Sequence, residues 1–171
     1  MFAKATILIS ALLSATLAYP LFKQCDSAWG NNQLGTSSVT ICKAGCLMSS
    51  MSMIINDCHK TIDGKASNPG TLNAWLRGHG GYVSGDLFVW GSVAPFGLSF
   101  VGFSSNDADI KNHFNQGHAV ILNVNKGGHY VLMTGHSSSG YNAEVVKAGI
   151  YKRPAGCSSV LATVQSEAFL E

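Results

Sequence analysis

Three of the chain's five cysteines fall in one stretch, TICKAGCLMSSMSMIINDC, from Thr40 to Cys58. Directly after Cys46 the apolar residues take up helical spacing. Leu47, Met48, Met51, Ile54, Ile55 and Cys58 form one stripe, and Ser49, Ser50, Ser52, Asn56 and Asp57 fill the rest of the turn. A thiol at the start of such a helix sits among unpaired backbone N–H groups, at the positive end of the helix dipole. Both favour the thiolate, the form of cysteine that attacks carbonyl carbon. Cys46 is therefore the candidate nucleophile. Its candidate base is His129, which opens an apolar run directly after Gly127 and Gly128. Those glycines leave space for a substrate backbone or a facing helix. A cysteine on a helix and a histidine on a strand so distant in sequence meet only through the fold.

The elements that position these residues follow from the rest of the chain. The segment MFAKATILISALLSATLAYP has one Lys4, an apolar run and small residues at 16–18, the pattern of a secretory signal peptide covering residues 1–18. Roughly 150 residues remain, the size of one domain with one core. The net charge of +2 and the lack of a basic cluster argue against nucleic acid or an anionic membrane surface as partner. In a secreted chain an odd number of cysteines implies two disulfides and one thiol left over.

KQCDSAWGNNQLG reads as a loop. NPGTLNAWLRGHGG reads as a helix with Pro69 in its first turn, Leu72, Trp75 and Leu76 facing inward, and Gly78 to Gly81 ending it. SSNDADIKNHFNQG is another, capped by Ser105 or Asn106 and burying Ile110 and Phe114. HAVILNV and GHYVLMTG read as strands joined by a hairpin through NKGG. AEVVKAGIY gives a weaker third strand, SSVLATV a fourth, and GDLFVWGSV reads by default as a buried strand. Helices precede strands, so the fold class is α+β, a helical N-terminal half packed on an antiparallel sheet.

Taken together, QCDSAWG, TICKAGCLMSSMSM, NPGTLNAWL, GGYVSGDLFVW and VILNVNKGGHYVLMTG resemble the C39-like branch of the papain-like cysteine peptidases. The resemblance runs from about Gln24 to Gly135 and leaves the tail 153–171 outside it. It implies a papain-like fold, Cys46 as nucleophile and His129 as general base. It also implies that Gln24, within Gln-x-Asp-x-x-Trp, helps the Cys46 N–H hold an oxyanion, a role suited to a side-chain amide donor. With Cys46 free, Cys25, Cys42, Cys58 and Cys157 are left to form two bridges, with all three pairings open.

The sequence departs from the family pattern after the histidine strand. Members carry an Asn-Asp-Pro-Gly there whose Asp orients the imidazole, but this chain has no Asp beyond Asp109. Lys147 falls at that place in one alignment. Asn142 or Glu144 are the substitutes, Asn142 by analogy with the Asn of papain. Without an orienting partner the imidazole loses its productive tautomer or direction. Two functions therefore stand: a secreted thiol hydrolase acting on peptide amide bonds, and an inactive papain-like relative that binds or builds at the cell surface. Neither calls for a cofactor. His59, His79, His113, His118 and His136 show no paired metal-ligand spacing and read as surface or loop residues. Partners are peptide or protein substrates, with neither nucleic acid nor membrane.

Overall fold

The computed structural model of the chain describes residues 19–137 and 145–158. The signal-like segment 1–18, Asn142, Glu144 and residues 159–164 of the expected fourth strand lie outside these.

The first elements are α1 (Ile41–Ala44), a single turn, and α2 (Cys46–Asp57). Gly45 joins them. A Cβ there would press against the Ile41 carbonyl, so only glycine lets one helix run so closely into the next. The stripe read from the sequence is buried in α2: Met48, Met51, Ile54 and Ile55 are all 2% exposed or less. Its serines are buried too. Ser52 Oγ donates to the Ser49 carbonyl and Ser67 Oγ to the Ser52 carbonyl, whereas the buried Ser49 Oγ has no partner among the described residues. A short ribbon follows, β1 (Thr61–Ile62) and β2 (Lys65–Ala66). Helix α3 (Pro69–Gly78) opens with a reciprocal cap, Thr71 N–H donating to Asn68 Oδ1 and Asn68 N–H to Thr71 Oγ1. A second ribbon, β3 (Tyr82–Val83) and β4 (Leu87–Phe88), leads into a 3-10 helix at Trp90–Phe96. The buried strand expected across GDLFVWGSV is thus two strand residues and a helical turn.

The main sheet contains β5 (Ser99–Ser104), β6 (Ala119–Val124), β7 (His129–Leu132) and β8 (Val145–Lys152), all antiparallel, in the order β5-β8-β6-β7. Helix α4 (Asp107–Asn115) links β5 to β6, with Asn106 Oδ1 accepting from Asp109 N–H as its cap. The expected α+β class with an antiparallel sheet is observed. The expected weak third strand, β8, is the longest in the sheet and lies inside it. The sequence reading passed over β5.

Directly opposed residues in a ladder share a face. Ile121 opposite Leu132 and Asn123 opposite Tyr130 look toward α2 and the N-terminal helices, and Ile121, Leu132 and Tyr130 share one hydrophobic cluster with Met51 and Ile54. Leu122 opposite Val131 and Val124 opposite His129 look the other way, where Ile110 and Phe114 of α4 pack. Trp90 lies across the first face at Gly149, stacked on Tyr151 with ring centroids 6.0 Å apart.

Candidate active site

The disulfides are Cys25–Cys42 and Cys58–Cys157, and Cys46 is the free cysteine. It is the first residue of α2 and partly exposed, while the helix behind it is buried. Gly45 offers no side-chain cap, and the first bond of the helix runs from Ser49 N–H to the Gly45 carbonyl. The N–H groups of Cys46, Leu47 and Met48 precede that bond and have no partner inside α2.

The anchoring of the opposite end fixes which way α2 points. Asp57 Oδ2 accepts from Arg153 Nη1 at 2.9 Å, Arg153 Nε donates to the Gly117 carbonyl at 2.8 Å, and Cys58 is bridged to Cys157. The C-terminal end of α2 therefore stands beside the start of β6 and the end of β8. Because β6 and β7 are antiparallel and α2 packs along β7, Cys46 lies toward the end where β7 begins, at His129.

The elements thus bring the two chain positions to one end of the molecule without pairing the side chains. Among the described residues no hydrogen bond joins the thiol to the imidazole. The ladder puts His129 on the face of Val124, whereas Tyr130 and Leu132 look toward α2. A thiol–imidazole contact requires His129 to turn about the end of its strand. Gly127, at φ +92°, and Gly128 carry no side chain to oppose that turn.

Gln24 Nε2 donates to the Cys42 carbonyl at 2.7 Å, and the neighbouring Cys25–Cys42 bridge ties the same loop to α1. Gln24 is thus held at Cys42, four residues before the thiol, with a second amide hydrogen left for an anion. Lys147 is placed away from His129: it pairs with Asn123, its Nζ lies 4.6 Å from the Phe103 ring centre, and β6 separates it from β7. Among the described residues no carboxylate or side-chain amide bonds to His129.

Sequence reasoning missed Asn123. It is 4% exposed on the α2 face of β6, and its Oδ1 has no partner among the described residues. The signal for it was one amide side chain interrupting the apolar run AVILNV.

No set of three or more His, Cys, Asp or Glu among the described residues is arranged to hold a metal. No helix among them is long and apolar enough to cross a membrane. Two disulfides fit a protein that folds in an oxidising compartment. No protein-family model, curated protein or solved structure matches the chain.

Proposed function

We propose that this chain is a secreted papain-like thiol hydrolase, C39-like in type, that cleaves peptide amide bonds through Cys46. The observation that carries this reading is the state of the cysteines. Four are bridged in two pairs, and the one left free begins a buried helix at the His129 end of the sheet. In the reaction the Cys46 thiol gives its proton to the His129 imidazole, and Sγ attacks the amide carbonyl. The oxyanion is held by the first N–H groups of α2 and by Gln24 Nε2. The C–N bond breaks as the imidazolium protonates the leaving amine. Water, losing a proton to His129, then attacks the thioester, releasing the acid and restoring the thiol.

A second reading, a papain-like fold kept for binding or assembly, is favoured by two observations on His129. No described carboxylate or amide orients His129, and its register turns it from the face that α2 covers.

Iodoacetamide treatment of the folded, unreduced protein, followed by peptide mapping, tests the first reading. Labelling of Cys46 alone, with peptide turnover that disappears in Cys46→Ala, supports the hydrolase. A labelled Cys46 without turnover on a peptide library leaves the binding role. A bridged or unreactive Cys46 rejects the nucleophile altogether.

A further inference from the structure

Helix α4 ends in a Schellman motif. Gly117, at φ +81°, donates its N–H to the Phe114 carbonyl, and His118 donates its N–H to the His113 carbonyl. In this motif the side chains of the third-last helical residue and the second residue beyond the cap come together, most often as an apolar contact. Here those positions are His113 and His118. Their Nδ1 atoms are 2.8 Å apart and their ring centroids 5.0 Å, close to the longest separation such a contact allows, so the nitrogens meet head-on.

A head-on contact between two imidazole nitrogens is a hydrogen bond only while one of them lacks a proton. Two imidazolium rings would face N–H to N–H and repel. The surroundings worsen that state. Lys152 and Arg153 lie close enough to act on His118, and among the described residues the one carboxylate paired with either ring is Asp109, whose Oδ1 is 3.6 Å from His113 Nε2. Burial, His113, Lys152 and Arg153 together hold His118 below the usual histidine range.

We propose that His113 and His118 form a proton-sensitive clasp on the end of α4, closed while the pair carries at most one extra proton and opened by acid when it takes a second. The corner it closes is shared. Arg153 Nε holds the Gly117 carbonyl between the two histidines, and Nη1 of the same guanidinium holds Asp57 at the end of α2. Acid therefore loosens the α4–β6 corner first, next to the anchor of the Cys46 helix. The sign follows from linkage. His118 binds its proton more weakly folded than unfolded, so its contribution to stability is complete above the ordinary histidine pKa and is lost as pH falls below it.

The test compares wild type with His118→Leu, which restores the apolar contact usual for the motif. Between about pH 7 and about pH 5 wild type should lose roughly 3 °C more in Tm than the variant, since every other titrating group is common to both. An equal loss overturns the proposal. Should His118→Leu fail to fold, ring-nitrogen NMR of the wild type decides. Coupled titration of the two rings, with amide exchange at Gln116, Gly117 and His118 accelerating at the second step, supports the clasp. Independent titrations with unchanged exchange overturn it.

Discussion

Asp57 and Arg153 place a full ion pair inside the protein, their side chains 2% and 7% exposed. Burial raises the Asp57 pKa above its ordinary value, opposed by hydrogen bonds from Ser158 and Arg153 and by the charge of Arg153. Arg153→Met strands the carboxylate. The expected loss is about 3–5 kcal/mol, read as a fall in the urea midpoint near neutral pH. Because Asp57 binds its proton more tightly folded than unfolded, acid relieves the stranded charge. The deficit of the variant should therefore shrink as pH falls through the raised range of Asp57, and a deficit constant from neutral to acid pH would show that the lost contact was packing rather than charge. Gly149 is the other residue on which much turns. Any Cβ there collides with the Trp90 indole, so Gly149→Ala should cost about 1–3 kcal/mol, with a changed tryptophan emission marking the displaced ring.

At the scale of elements, the two disulfides close loops of very different length. Cys25–Cys42 spans 17 residues and Cys58–Cys157 spans 99. Chain entropy assigns about 3 kcal/mol to the first and nearer 5 kcal/mol to the second. Serine replacement of each pair should therefore lower the denaturation midpoint more for Cys58/Cys157, whereas loss of Cys25/Cys42 should change Cys46 alkylation more, since that bridge holds the Gln24 loop. Equal changes in both readouts would deny the two bridges separate roles. The helices were legible because their signals are local: the stripe of α2, the Asn68 and Asn106 caps, and Pro69. At the far side of the sheet β8 read only as a weak strand and β5 was not read at all. β8 looked weak because Lys147 and Gly149 interrupt VVKAGIY, and both interruptions have tertiary causes. Trp90 occupies the room a side chain would need at Gly149, and Lys147 reaches over Phe103. SFVGFS, which forms β5, carries a glycine and two serines and offers no clear alternation to a local reading.

Across the whole molecule, cysteine arithmetic left one thiol over, the helix start and the resemblance pointed to Cys46, and the structure leaves that thiol free. The surroundings of the candidate base, His129, were not legible, because they depend on sheet order. β8 returns between β5 and β6 instead of beside β7, so β7 borders the sheet among the described residues. The bond from Met133 N–H to the Val120 carbonyl sets the phase of the β6–β7 ladder: His129 and Val131 turn their backbone groups toward β6, and Tyr130 and Leu132 turn theirs away. This gives the sheet a protection pattern that native-state hydrogen exchange reads directly. All six residues of β6 are buried and paired with β8, and Ile121–Val124 are paired with β7 as well, so its amides should be the slowest. In β7 the Val131 amide should be slow, with Tyr130 and Leu132 on either side of it fast. Slow exchange at those two would mean that another backbone covers the edge beside His129. That backbone is then where an orienting group for the imidazole belongs, and the hydrolase reading gains. Fast exchange leaves His129 without a neighbouring strand and moves the weight to the binding role.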